Sequence, residues 1–287
     1  MTTLIIGSSG YLGQQVTRHL MQREPKVIAT HHTTPKFTES ESYNFYKDTA
    51  LPLDSSTTVV IFAAAVEMNQ PADRLEAAIR RLLEQISTCR FVYISSDAVF
   101  SGRKGEYTEN DSPDPINAYG HNLVLCERLV QEMVADSCIV RPSYIYGFVD
   151  GELDARLART RDRLLQGETC TLYDDYYKSP LSVQEVAGAV VHLAQSTIQG
   201  PIHVAGPRMS AYTFQRRAMD ALGVDSTKLF HEPMPDDPTL MRDTSLDSAK
   251  WWSICQSEPL SIEYGLKQGN NIYDNTNRWT ETREQYL

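Results

Sequence analysis

Residues 2–23, TTLIIGSSGYLGQQVTRHLMQR, restrict the fold more than any other stretch of the chain. A short apolar run of strand length stops at Gly7, and beyond it Leu12, Val16 and Leu20 recur at helical spacing. Between the two stand Gly7, Gly10 and Gly13, a G-x-x-G-x-x-G turn at the mouth of the helix. Such a turn brings backbone N–H groups up to a pyrophosphate lying at the positive helix end, where side chains would hold the phosphate off. The candidate cofactor contacts are therefore Gly7, Ser9, Gly10, Tyr11, Leu12 and Gly13. A ligand-free glycine turn between strand and helix is the alternative.

The same alternation continues. KVIAT, TVVIFAAA, RFVYISS and CIVRPSYIYG are further apolar runs, and Leu75, Ile79, Leu82 and Ile86 line one face of a helix between the second and third of these. Another helix starts near Tyr119. Strands that are nearly all apolar and alternate with helices imply a parallel sheet covered on both faces. The expected fold is α/β, a Rossmann-type doubly wound sheet over residues 1–150 that binds a dinucleotide. A smaller, interleaved mixed α/β lobe for substrate is expected over 151–265, with PIHVAG as one of its strands, and a polar tail over 266–287.

Charge and cysteine usage narrow the partners. A formal net charge of −10 gives no basic field to steer nucleic acid or an anionic membrane surface. No apolar run approaches ~18 residues, and the N-terminus reads as a strand with no basic leader. The five cysteines are odd in number and lack paired spacing, so core packing in a reducing cytoplasm is expected, with no disulfide framework and no metal site.

The second strand, VIATHH, ends without the Asp or Glu that usually holds the ribose hydroxyls of NAD. Thr30 and His31, with His32, are the candidates for a 2′-phosphate, so NADP(H) is expected over NAD(H). Asp48 is a candidate for the adenine. Ala63, Ala64 and Ala65 end the third long strand with side chains small enough for a cofactor to lie over the sheet edge.

VYISSDAVFSGRKGEYTENDSPDPINAYG, together with the glycine loop, resembles the extended short-chain dehydrogenases/reductases. Within them it is most similar to the dTDP-4-dehydrorhamnose reductase family of sugar-nucleotide reductases, and the likeness continues through IVRPSYIYG, DYYKSPLSVQEVAGAVVHLA, GPIHVAGP and RDTSLDSAKW. The resemblance implies that Ser96 hydrogen-bonds a substrate carbonyl. It implies that Tyr119 donates a proton as hydride from the nicotinamide reaches the carbonyl carbon. The family then carries a lysine one turn after the tyrosine, which eases loss of the phenol proton and holds the nicotinamide ribose. That position is Leu123.

His121 stands ~200° round the helix from Tyr119 and faces away. Lys178 lies on a loop that the resemblance puts near the substrate, as a candidate replacement cation. Ala98 replaces a tyrosine common in the family. Val99, Tyr107, Arg141 and Tyr144 are candidate substrate contacts, with packing as the alternative for each. Two functions lead, with an epimerase or dehydratase of the same superfamily as a third behind them. One is NADP(H)-dependent reduction of a 4-keto nucleotide sugar or related ketone, slowed by loss of the lysine. The other is a catalytically degenerate dinucleotide-binding subunit that regulates or scaffolds a partner enzyme, as the regulatory subunit of methionine adenosyltransferase does in this reductase-like group. A homodimer is a further expectation.

Overall fold

The computed structural model describes residues 2–24, 26–68 and 70–267; the expected tail lies outside the described residues from position 268 on. The chain forms two compact units. The first is Met1–Val99, Pro113–Arg141 and Ala187–Ile202, and the second is Phe100–Ser112, Pro142–Val186 and the residues from His203 onward. The sequence predicts a first domain to about residue 150 with an interleaved lobe beyond it. The chain instead passes between the units several times, because turns and helices far apart in sequence share each core.

The first unit is built on a sheet of β1 (Thr2–Ile6), β2 (Val27–His31), β3 (Glu41–Ser42), β4 (Thr57–Phe62), β5 (Arg90–Ile94), β6 (Ser137–Pro142) and β7 (Gly200–Val204). Their order is β7–β6–β5–β4–β1–β2–β3, and β1 pairs in parallel with both β2 and β4. Pairing continues in parallel from β4 to β5 and from β5 to β6. The order reverses beside β1, the place where an open α/β sheet leaves a crevice at its strand ends. The PIHVAG segment is thus β7, at the sheet edge beyond β6, and not a strand of the C-terminal lobe alone.

Strand β1 is buried at every residue, as expected of a central strand covered on both faces. Helix α1 (Tyr11–Met21) follows the glycine turn, and α2 (Ala72–Gln85) buries Leu75, Ile79 and Leu82. These side chains share a core with Leu4, Val60, Phe62, Phe91 and Ile139. Helix α3 (Ala118–Met133) adds Cys126, Leu129 and Val130 to it. Its start is fixed by sequence: the Asn117 side chain caps it by accepting from the Gly120 N–H at 2.8 Å.

The second unit has its own core, centred on Tyr146, Leu157, Phe214, Met219 and Leu229. Helix α4 (Ala155–Leu165) is capped by Asp154, and the helix Ala211–Ala221 by Ser210. Cys170–Tyr173 pairs in parallel with Leu229–Glu232. All five cysteines are buried thiols outside any disulfide, so they act as small core side chains. Among the described residues, no helix is long and apolar enough to cross a membrane.

Candidate active site

The glycine turn is shaped by close approach of backbone to backbone. Gly7 has φ +91°, and a Cβ there would lie 2.7 Å from the Ala64 nitrogen. A Cβ on Gly13 would lie 2.0 Å from the Gly7 oxygen. Gly10 donates from its N–H to that same oxygen at 3.0 Å and stands at the N-cap of α1, where no side chain caps the helix. First-turn N–H groups have no intrahelical acceptor. A bare turn carrying no side chain at Gly7, Gly10 or Gly13 therefore fits a pyrophosphate, with Ser9, Tyr11 and Leu12 completing the lip.

Thr30 supports this turn from below. Its hydroxyl accepts from the Gly7 N–H at 3.3 Å and donates to the Ile5 carbonyl at 3.0 Å. Ser8 donates from both N–H and hydroxyl to the Thr30 carbonyl. Thr30 is 1% exposed, so its hydroxyl serves the loop. His31 is half-buried with Nδ1 2.9 Å from the Ser40 hydroxyl, and His32 is exposed beside Asn44. Asp48 accepts from the Asn44 N–H at 2.6 Å and closes its own turn. Ala63 and Ala64 are half-buried and Ala65 is exposed, beside the turn at the end of β4.

The candidate pair, Ser96 and Tyr119, lies where α3 begins and in the turn before it. Gly120 permits it: a Cβ there would be 2.3 Å from the Ala98 oxygen, so only glycine lets the helix approach the turn after β5 this closely. Ser96, in that turn, accepts from the Ala98 N–H at 3.2 Å. Its hydroxyl donates to Asp97 Oδ1 at 3.0 Å, and the same hydroxyl eases loss of the Tyr119 phenol proton. Burial, and then the charges of Glu67 and Asp97, push that phenol up to about 12. One turn further on, Leu123 is 1% exposed and part of the core side of α3. His121 is exposed, on the other side of the helix.

Of the candidate substrate contacts, three are built into packing. Arg141 is 4% exposed and paired with Glu127, itself 4% exposed. Val99 is fully buried, and its carbonyl accepts from the Asp114 N–H. Tyr107 stacks on Phe100 at 4.2 Å, and its hydroxyl accepts from the Arg103 and Lys104 N–H groups at 3.1 Å, which shapes the turn. Tyr144 and Lys178 come together in a cavity of about 430 Å³ in the second unit, lined also by Arg156, Arg159, Arg163, Tyr173 and Tyr176. Arg156 lies over the Tyr144 ring at 3.5 Å, and the Tyr144 hydroxyl donates to Asp154 at 3.1 Å.

Sequence reasoning missed the three arginines of this cavity, although their spacing on a helix (156, 159, 163) is the signal for one basic face. It also missed Glu67 and Glu127, for which no local signal exists.

The family model described as the RmlD substrate-binding domain matches residues 1–269. The chain belongs to the RmlD family. As an RmlD-like extended short-chain dehydrogenase/reductase it has solved relatives of the same fold. A hypothetical dTDP-4-dehydrorhamnose reductase from Sulfolobus tokodaii superposes with TM-score 0.76 at 26% identity, covering 93% of this chain and 99% of that one. The dTDP-4-dehydrorhamnose reductase of Bacillus anthracis, solved in complex with NADP, gives TM-score 0.72 at 19% identity over 95% and 99% of the two chains. Among characterised relatives, the methionine adenosyltransferase 2 subunit beta of Rattus norvegicus is 25% identical over 97% of this chain and 90% of its own. The RmlD-type fold therefore spans reductases and a subunit of another enzyme.

Proposed function

We propose that the chain is a reductase that uses a nicotinamide dinucleotide, NADP(H) in preference to NAD(H), to reduce a ketone on a nucleotide-linked sugar. The observation that carries this reading is the close packing of the start of α3, which bears Tyr119, on the turn that bears Ser96, an approach that only glycine at position 120 permits. When bound, the cofactor supplies hydride. Ser96 orients the carbonyl, and Tyr119 gives its proton to the oxygen as that oxygen becomes an alkoxide. A phenol held near 12 still performs this step, because an alkoxide is a much stronger base than a phenolate. What the loss of the lysine removes is ease of forming phenolate, which matters most when the tyrosine must act as a base.

The glycine turn without an N-cap side chain supports the dinucleotide, and the absence of an acid at the end of β2 supports NADP(H). The cavity of the second unit supports an anionic, partly aromatic substrate. Arg156, Arg159, Arg163 and Lys178 face it against a single carboxylate, Glu232, and tyrosines offer stacking surfaces. The Sulfolobus tokodaii and Bacillus anthracis neighbours are described as reductases of such a sugar nucleotide.

A second reading rests on Leu123 and on the likeness to methionine adenosyltransferase 2 subunit beta: a dinucleotide-binding subunit that has lost the chemistry. Calorimetry with each dinucleotide, followed by NADPH oxidation with 4-keto nucleotide sugars, separates the two. The reductase reading expects turnover that Tyr119→Phe abolishes and nucleoside-diphosphate binding that Arg159→Ala weakens. Tight dinucleotide binding with no turnover on any keto-sugar sinks it in favour of the subunit.

A further inference from the structure

The strand that passes the glycine turn, β4, leads through Ala63–Val66 to Glu67, whose side chain is 2% exposed. A carboxyl in such a place needs a donor, and it has one: the Tyr93 hydroxyl of β5 donates to its Oε1 at 2.6 Å. The surrounding loop is clamped to the helix that bears the reactive phenol. Asn122, next to Leu123 on α3, donates to the Glu67 carbonyl at 2.8 Å and to the Gln70 carbonyl at 3.0 Å. Tyr46 donates to the Val66 carbonyl at 2.6 Å from the other side.

Four titratable groups couple by charge to this carboxyl, and each of them is an acid. They are Tyr46 from the loop after β3, Tyr93 from β5, and Tyr119 and Cys126 from α3. Arg74 lies over the Tyr46 ring, and Asp97 faces Tyr119 from the turn after β5. Where a family lysine would place a cation behind the phenol, this chain places Leu123 and a buried carboxyl.

We propose that Glu67 is a positioning residue for the reaction at Tyr119, holding the phenol in its protonated, proton-donating form. Burial first pushes the Glu67 carboxyl up to about 7, against the stabilising bond from Tyr93. Above that pH the carboxylate repels a phenolate on α3, and below it the neutral acid offers no positive charge to stabilise one. The effect is opposite in sign to that of a lysine. It keeps the phenol protonated to higher pH at a cost in its acidity, which bears on a site that donates protons, and so rests on the reductase reading.

The test uses the full chain labelled with ortho-fluorinated tyrosine, whose greater acidity brings the titration into a range where the fold survives. Fluorine NMR follows the Tyr119 resonance, assigned by its loss in Tyr119→Phe, in the wild type and in Glu67→Gln. The expected result is a midpoint lower by about one pH unit in Glu67→Gln, with the alkaline fall of keto-sugar reduction moving in parallel. Tyr93→Phe, which removes the donor and keeps the charge, leaves the midpoint high. Should Glu67→Gln not fold, Glu67→Asp carries the test, with a smaller change in the same direction. An unmoved midpoint in folded, active protein overturns the role of Glu67 and leaves the reductase reading standing. A moved midpoint in protein that turns over no keto-sugar overturns the reductase reading while the coupling stands.

Discussion

Arg141 and Glu127 form a two-pronged ion pair in the interior of the first unit: Nε donates to Oε1 at 2.9 Å and Nη2 to Oε2 at 2.6 Å. The Ser95 hydroxyl donates to the same Oε1 at 2.6 Å, so the carboxylate is fully engaged. This pair joins the C-terminal end of β6 to α3 beside the turn that carries Ser96. Removing one partner leaves a buried, uncompensated charge. Arg141→Ala is expected to cost about 3–5 kcal/mol, read as a fall in thermal and denaturant midpoints. The double change Arg141→Met with Glu127→Leu is expected to recover most of that loss. A large effect on substrate KM without loss of stability in Arg141→Ala would instead return Arg141 to substrate contact.

That example shows what the sequence could and could not disclose. The sheet and the glycine turn follow from local signals (apolar runs, helical spacing, and glycines where a side chain has no room), whereas Ser96 and Tyr119 were legible only through the family resemblance. Gly120 is the instructive case, since its tight approach to the Ala98 carbonyl brings the start of α3 against the turn that carries Ser96. Arg141 and Thr30 read as ligand contacts in the sequence because they are polar residues at strand ends, and Tyr107 because it lies in the segment that resembles the reductase family. The partners of Arg141 and Thr30, Glu127 and the Gly7 N–H, are set by tertiary packing, while Tyr107 closes the Arg103–Lys104 turn beside it in sequence. Glu67 was invisible for the same reason: nothing beside it in sequence says that Tyr93 and Asn122 will close over it.

The Gly7–Gly13 contact gives a sharper test of the dinucleotide. A methyl group on Gly13 would stand 2.0 Å from the Gly7 oxygen, a separation that forces the turn to open. Gly13→Ala is expected to abolish measurable binding of NADPH and NADH by calorimetry and to lower stability by ~1–3 kcal/mol. Retention of wild-type dinucleotide affinity in this variant would mean that the turn is not the phosphate cradle.

Two buried groups push stability in opposite directions with pH. His19 on α1 is 4% exposed, and burial, followed by Arg23, brings its imidazole from 6.5 down to about 4. A depressed base contributes stability that is present above 6.5 and lost as pH falls through about 4. Glu67 is raised from 4.5 to about 7, so its contribution is complete below 4.5 and lost as pH rises through about 7. Each amounts to ~3 kcal/mol at most, and they offset one another between the two ranges. Denaturant unfolding across pH is expected to unmask them separately. His19→Gln gives a protein that gains stability on acidification from neutrality, and Glu67→Gln one that only loses it. Identical pH dependence in wild type and both variants would refute the assignment of either group.

The most direct question for the chemistry concerns position 123. Leu123 is 1% exposed on the core side of α3, one turn beyond Tyr119, so a lysine there exchanges buried apolar area for a buried ammonium. Without a bound ligand that exchange is unfavourable, and Leu123→Lys is expected to destabilise the ligand-free protein by ~2–4 kcal/mol. A cation in that place also opposes the combined push of Glu67 and Asp97 on the phenol, bringing Tyr119 down from about 12. Keto-sugar reduction near neutral pH is then expected to accelerate by ~10–100-fold, and added NADPH to restore part of the lost stability through binding. Melting curves with and without NADPH, read beside the rate, separate these effects. If Leu123→Lys is destabilised, binds NADPH and still shows no gain in rate, the missing cation is not what limits the site, and the subunit reading gains ground.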